Sequence, residues 1–223
     1  MIIDERTASL EEKAYATLEE EILSGRLKKG DSLTESALSL RLGVSRTPIR
    51  SAIHRLAEDG LVSISPNKGA VVRGIDADDL IDIYKIRIRL EGLASASAAK
   101  NISAEGIERL RRSVELSEFY IGKRDAESLK ELDTEFHHEI YRASGNVQLE
   151  KILTELHRKI KTYRKLSLSV PGRLEGSQRE HREILSAIEK GDAELADALT
   201  SSHVESALYN VILATKDADR NGA

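Results

Sequence analysis

The 223-residue sequence predicts a mainly α-helical protein, with three helices and a β-hairpin at the N-terminus followed by an all-α antiparallel helical bundle. Apolar residues recur at helical spacing through most of the chain, which indicates helices that bury one face. One segment, residues 61–73, instead shows the alternation and turn residues of a hairpin. With 32% charged residues, 4% aromatic residues and only three Pro, the composition suits helices and excludes collagen-like or low-complexity chains.

The N-terminal unit opens with two predicted helices. Ser9 and Glu12 make a capping-box pattern ahead of an apolar stripe, so a helix is expected from Ser9 to Gly25. Thr34 can cap a short second helix, and Gly43 ends it. The residues between these helices are expected to form a loop.

A third helix and a hairpin complete this unit. Ser45 can cap a helix that runs to about Asp59. Two helices joined by a tight Gly turn form the helix-turn-helix pattern. Residues 61–65 alternate apolar and polar side chains, and residues 70–73 can return as a second strand, or wing, after the turn. The unit is therefore predicted to be a winged helix-turn-helix.

The rest of the chain shows only helical periodicity. Asp76 is expected to cap the first helix of this second unit. We therefore predict a domain of residues 1–74 and a domain of residues 75–223. Gly, Pro and capping clusters separate its helices, which are predicted over residues 76–100, 103–122, 125–144, 146–168, 173–190 and 192–216.

Charge is distributed unevenly along the chain, although the net charge is only −4 at pH 7. Between Arg26 and Arg73, nine basic residues stand against four acidic ones, a balance of +5 that leaves −9 for the remainder. This asymmetry suggests one unit that meets a polyanion and another that does not. From charge alone, ordinary solvated faces remain the alternative.

Cysteine usage and the N-terminal segment bear on the compartment. The chain has no Cys, which excludes disulfides, thiolate chemistry and Cys-based metal sites and fits a reducing cytoplasm. Its start lacks a basic segment followed by an apolar one, and no run of about 18 apolar residues occurs. We therefore expect a cytoplasmic protein with no membrane partner.

Candidate DNA-reading residues lie at the start of the third helix. If Ser45 caps it, Arg46, Thr47 and Arg50 occupy the end that enters a major groove in helix-turn-helix proteins. An Arg can contact guanine O6 and N7 in a bidentate manner, while Ser45 and Thr47 suit phosphate. Arg side chains near a helix start also commonly pair with nearby carboxylates, which is the alternative.

The wing supplies two further candidates. Lys68 and Gly69 at its tip could approach an adjacent groove or the DNA backbone. Three segments of this unit closely resemble the winged-helix domain of GntR-family bacterial transcription regulators over residues 10–73: LTESALSLRLGVSRTPIR from Leu33, LAEDGLV from Leu56 and NKGAVV from Asn67. The resemblance implies that Arg46 and Arg50 contact DNA, with Ser45, Thr47 and Gly69 at the backbone or groove.

A second constellation lies in the helical domain. Asp133 and His137 are one turn apart on one predicted helix, and His181 and His203 lie on two later helices. One carboxylate and three imidazoles can bind Zn²⁺, Ni²⁺ or Mn²⁺ and leave positions for water or a ligand oxygen. From spacing alone, a solvated polar face or satisfied interior histidines remain the alternatives. The remaining histidines are expected at the surface: His54, His138 and His157.

This domain is similar to the ligand-binding domain of the FadR subgroup of the same family. The similarity lies in LDTEFHHEIYRASGN from Leu132, EHREILSAI from Glu180, and His203. Such domains bind small organic acids, many of them through a metal, and the resemblance implies a ligand set of Asp133, His137, His181 and His203. It also implies that Arg87, and more weakly Asn146, contact the effector. Arg87 could instead pair with Glu91, and Asn146 could be a helix N-cap.

Together these features predict a DNA-binding transcriptional regulator, and not an enzyme. We expect a repressor that reads a short palindromic operator as a homodimer, with a small organic acid at the metal shifting the dimer between states. Leu110, Val114 and Leu116 could form the dimer interface or belong to the interior. Two alternatives are a regulator for which the ion itself is the signal, and a metal-dependent enzyme fused to a winged helix, although no convincing general base accompanies the ligands.

Overall fold

The computed structural model describes residues 9–65, 69–123, 125–160, 163, 167 and 170–221. The chain forms two compact units, divided between Asp79 and Leu80. The boundary predicted after residue 74 lies just ahead of the first helix that crosses this division. Within the described ranges, no helix combines the length and apolar character needed to span a bilayer.

The first unit contains three helices and a three-stranded antiparallel sheet, as α1 Leu10–Leu23, β1 Ser32–Leu33, α2 Glu35–Leu42, α3 Arg46–Glu58, β2 Val62–Ser65 and β3 Gly69–Val72. The sheet order is β1-β3-β2. The wing is therefore present as predicted. Strand β1, expected to be loop, pairs Ser32 with Val71 and Leu33 with Ala70, so the sheet has one strand more than the sequence indicated.

Local capping explains where these helices begin. The Ser9 hydroxyl accepts a hydrogen bond from the backbone N–H of Glu12, and Thr34 accepts one from Ala37. Ser45 occupies the N-cap of α3 as expected, but its hydroxyl makes no capping hydrogen bond. That expectation is thus correct for the position and wrong for the bond. Gly43 ends α2 with a left-handed φ of +67°, a conformation that glycine adopts without steric cost.

The core of the first unit holds α3 against its neighbours. Ile49, Ile53 and Leu56 are buried, together with Leu18 of α1 and Leu38 of α2. Ile49, Ile53 and Leu56 come from one face of α3, so the opposite face of this helix is left to solvent. Helix α3 is therefore anchored by apolar packing rather than by its polar residues.

In the described part of the second unit all regular structure is helical, as α4 Ala77–Asn101, α5 Ala104–Lys123, α6 Ala126–Ala143, α7 Val147–Lys159, α8 Arg173–Glu189 and α9 Ala193–Asn221. Asp76 caps α4, since its carboxylate accepts from the N–H of Asp79. The helix predicted over 146–168 is described as far as Lys159, and most of the residues that follow lie outside the description.

Packing decides the role of the stripe on α5. Leu110 and Val114 are buried in the core that α4 to α9 share, with Phe136, Leu153 and Ile184. The possibility that these two residues form a dimer interface is therefore wrong, because they have no surface to offer a second chain. The remaining member of the stripe, Leu116, is half-buried and lines a groove between α5 and α6.

Candidate functional site

The exposed end of α3 carries the predicted DNA-reading residues. Ser45, Arg46, Thr47 and Arg50 all lie at the solvent-facing surface of the helix start. Gly69 is exposed at the first residue of β3 with a φ of +70°, which explains glycine there on conformational grounds. Lys68, the other wing candidate, lies outside the described residues. A cationic helix start next to a wing is an arrangement that fits a DNA groove and its phosphates.

Arg50 is bound by a carboxylate of α2. Its Nε donates to Oε1 of Glu35 at 2.7 Å, and its Nη2 donates to Oε2 at 2.8 Å. The hydrogen bonds from Arg50 lower the pKa of Glu35. The alternative considered from sequence, a nearby carboxylate partner, is thus present in the unbound protein.

The four predicted metal ligands converge in the second unit. Helix α6 supplies Asp133 and His137, α8 supplies His181, and α9 supplies His203. One donor atom from each of the four lies within 4.8 Å of all the others. Nε2 of His203 is 3.2 Å from Nε2 of His137 and 3.3 Å from Nε2 of His181. Oδ1 of Asp133 is 3.5 Å from Nε2 of His181.

These separations fit one bound ion. Nitrogen ligands that each stand 2.0–2.1 Å from a Zn²⁺ ion are roughly 3 Å apart. Lone pairs and a carboxylate oxygen that point at one another at this distance repel unless a cation or a proton lies between them. The donor set therefore matches the residues that would hold a borderline divalent ion.

Carboxylates lie close to Nδ1 of two of the four predicted ligands, His203 and His137. Oε2 of Glu180 is 2.6 Å from Nδ1 of His203. Oε2 of Glu91 lies 2.9 Å from Nδ1 of His137, without the alignment of a full hydrogen bond. A carboxylate at Nδ1 favours the tautomer whose Nε2 lone pair faces the ligand cluster. In the sequence, Glu91 is recognisable only as a neighbour of Arg87, and no local signal marks Glu180 as a residue that supports a ligand.

Burial sets the electrostatics of the cluster. Burial, together with the charges of His137 and Arg173, holds the pKa of His203 well below its usual range. A neutral imidazole is the form that binds a metal. Burial alone would raise the pKa of Glu91, but Arg87 and His137 hold it well below its ordinary value. Glu91 therefore stays charged beside His137, and the ring of His203 stays neutral.

Two arginines complete the walls of a small cavity at the cluster. The cavity has a volume of about 20 Å³ and is lined by Arg87, Arg173, Asp133, His137 and His203, among others. That volume admits about one water-sized group. Among the described residues, Nη1 of Arg87 and Nε of Arg173 are buried donors without a hydrogen-bond partner. An unmet buried donor is costly, so both arginines are suited to a ligand acceptor.

The other candidates are placed differently. Arg87 does pair with Glu91, at 2.6 Å, and it also lines the cavity. Asn146 is exposed and caps α7, since its side chain accepts from the backbone N–H groups of Gln148 and Leu149. It therefore has no place at the cavity, and we do not carry it into the proposed site.

The histidines expected at the surface separate into two groups. His54 is exposed on α3, and His138 is half-buried. The surface expectation is wrong for His157, which is only 2% exposed and has Nδ1 3.2 Å from the hydroxyl of Tyr141. Burial holds its pKa well below the usual range, which keeps the ring neutral in the core.

A winged helix-turn-helix followed by an all-helical domain is an arrangement that defines a class of DNA-binding regulators. Residues 10–72 match the model of the bacterial regulatory proteins of the gntR family, and residues 82–206 match the FCD domain. The chain therefore belongs to the GntR family, in its FadR-like subgroup.

Similar proteins support this membership. The chain is 32% identical to the HTH-type transcriptional regulator YdhC of Bacillus subtilis, covering 85% of each chain. It is 33% identical to a probable D-xylose utilization operon transcriptional repressor of Paenarthrobacter nicotinovorans, covering 82% of this chain and 80% of the relative. The fold resembles that of Escherichia coli McbR/YncC with a TM-score of 0.72, at 23% identity over 95% of this chain and 99% of the other. The protein is a transcriptional regulator rather than an enzyme.

Proposed function

We propose that this protein is a repressor that binds a short palindromic operator as a homodimer and responds to a small organic acid at a divalent metal site. The observation that carries the proposal is the convergence of three Nε2 atoms and one carboxylate oxygen beside two buried arginines. The relative from Paenarthrobacter nicotinovorans, a probable transcriptional repressor of a D-xylose utilization operon, supports a repressor role. The proposal also places the protein in the cytoplasm, where bacterial DNA is.

Asp133, His137, His181 and His203 would hold the ion. When bound, a Zn²⁺, Ni²⁺ or Mn²⁺ ion supplies positive charge and open coordination positions for a carboxylate oxygen. The protein's own residues would orient the ligands and limit the access of solvent. Glu180 orients the ring of His203, and the fold excludes all but a small volume of solvent around the donor atoms.

Charge explains why an acid would need the ion. Arg87 and Arg173 are balanced by Glu91 and Glu180, to which they are paired at 2.6 and 2.7 Å. When the three histidine rings are in the neutral form that binds metal, Asp133 gives the metal-free site a charge of −1, and a divalent ion brings the total to +1. A monocarboxylate then neutralises the loaded site, whereas the metal-free site repels it. The free donors of the two arginines favour the same class of ligand.

Regulation follows from linkage between the two units. An effector that binds one dimer geometry more tightly than the other shifts the population, and with it the spacing of the two recognition helices. A two-fold dimer reads a two-fold operator, which is why we infer a palindrome. No covalent chemistry is involved.

A second candidate is a metal sensor, in which the ion itself is the signal. The cavity volume of about 20 Å³ favours this reading, because little room remains beside an ion. The two readings separate in one titration. Operator affinity is measured at saturating metal while acid is varied, and then without acid while metal is varied. An acid sensor responds in the first series, and a metal sensor responds only in the second.

A further inference from the structure

We propose that Glu35 determines the base specificity of Arg50 by positioning its guanidinium for guanine. The inference rests on the proposed DNA contact of Arg50. It adds a residue of α2 that touches no base in this account and acts through its partner on α3.

The ion pair uses one edge of the guanidinium and leaves the other available. Glu35 accepts from Nε and Nη2, at 2.7 and 2.8 Å. Nη1 and the second N–H of Nη2 form the adjacent edge, which makes no hydrogen bond to any described residue. Two parallel N–H groups of an Arg match O6 and N7 of guanine. Glu35 therefore leaves free an edge that can read a base.

Both partners stand on anchored backbone. Glu35 is the first residue of α2, immediately after the capping Thr34, and Arg50 follows the fully buried Ile49 on α3. A long side chain that is already held in one orientation loses less conformational freedom when it binds. Pre-orientation thus favours the one base that fits over all others.

The ion pair of Arg50 and Glu35 adds little to the stability of the fold. The side chains of Arg50 and Glu35 are 63% and 31% exposed, and exposed ion pairs contribute little to folding. The carboxylate also adds negative charge next to the DNA-reading residues, which disfavours phosphate contacts by Arg50. Glu35 therefore lowers non-specific affinity while it raises discrimination, a combination that a purely structural ion pair does not produce.

The test compares Glu35→Ala with wild type on an operator selected from random duplexes by the wild-type protein. Affinity is measured for that operator, for each single base-pair variant and for unrelated duplex DNA. We expect Glu35→Ala to lose about tenfold in discrimination at the base pair that Arg50→Ala no longer reads. Affinity for unrelated DNA should rise. In the Arg50→Ala background, Glu35→Ala should change discrimination no further.

A matched control is the pair of Arg41 and Glu21, which joins α1 and α2 through two hydrogen bonds of 3.1 and 2.7 Å. Glu21→Ala should leave discrimination unchanged, and thermal melting reports whether each variant is folded. Unchanged discrimination in Glu35→Ala would overturn this inference and leave the proposed DNA contact of Arg50 standing. The inference would also be overturned if Glu35→Ala caused the same loss of discrimination in the Arg50→Ala background as in the wild-type protein. If Arg50→Ala itself reads every base pair as wild type does, the DNA contact of Arg50 fails, and the inference fails with it.

Discussion

Glu180 lies 2.6 Å from Nδ1 of His203, on the side of the ring away from the metal-ligand cluster. The same oxygen accepts a hydrogen bond from Nη1 of Arg173 at 2.7 Å. Burial raises the pKa of Glu180, while Arg173 opposes the rise. One carboxylate therefore orients a ligand of the ion and also holds an arginine at the cavity wall.

Glu180→Ala should weaken metal binding by roughly 10- to 100-fold, the usual effect of removing an outer partner of a metal-bound histidine. The physical reason is that His203 loses the acceptor that fixes its tautomer and ring orientation. Glu180→Gln is the control, because its amide oxygen can still accept from Nδ1 and should preserve part of the affinity. Competition with a chelator of known affinity measures the change. Equal metal affinity in Glu180→Ala and wild type would show that this contact does not support the ligand set.

Two substitutions should show that metal binding and DNA binding depend on different units of the protein. His181→Ala removes a ligand and should abolish stoichiometric metal binding while operator binding without effector persists. Arg50→Ala should cost about 1–3 kcal/mol in specific DNA binding and leave the metal content intact. Metal analysis and a DNA-binding titration on the same preparations check both effects. Loss of metal from Arg50→Ala would contradict the separate roles of the two units. An operator affinity of Arg50→Ala equal to that of wild type would contradict the DNA contact of Arg50.

Stability of the metal-free protein should fall as the solution is acidified. The folded-state pKa values of His157 and His203 are held well below the ordinary value of 6.5. The unfolded chain therefore binds more protons near and below that pH, and stability is lost as the pH falls through the unfolded value. Thermal melting in the presence of a chelator, from about pH 7.5 to pH 5.5, should show a declining midpoint. A midpoint that stays level or rises on acidification would be inconsistent with buried neutral histidines.

Asn146 should matter for stability and not for sensing. Its side chain caps α7, so Asn146→Ala should cost about 1 kcal/mol in the free energy of unfolding. Asn146→Asp keeps the capping oxygen and should restore most of that loss. Denaturant unfolding measures the first effect, and ligand titration measures affinity for metal and acid. A change in acid affinity without a change in stability would return Asn146 to the effector site.

Local signals explain what the sequence predicted correctly. Apolar periodicity and caps such as Ser9 and Asp76 act within one or two turns, so the helices could be placed from them. Strand β1 could not be predicted, because two residues show no alternation and its existence depends on pairing with β3, far along the chain. The expected ligand set came from one Asp and three His at positions that match those of the FadR subgroup, and the structure brings these four residues together.

Tertiary packing explains what the sequence left open. Glu91 and Glu180 are two of 38 acidic residues, and nothing in their neighbourhood shows that they face a histidine on another helix. Leu110 and Val114 fit an interface or an interior equally well until the bundle buries them. His157 sits among charged neighbours in sequence, yet its side chain lies on the inner face of α7.

The most direct test of the account is a thermal-shift measurement on metal-loaded and metal-stripped protein, with metal analysis and a panel of small mono- and dicarboxylic acids. A ligand at a hundredfold excess over its Kd stabilises the folded protein by about 2.7 kcal/mol. We expect one divalent ion per chain and an acid that raises the melting temperature only when the ion is present. Absence of a bound ion, together with no metal-dependent shift for any acid, would contradict it.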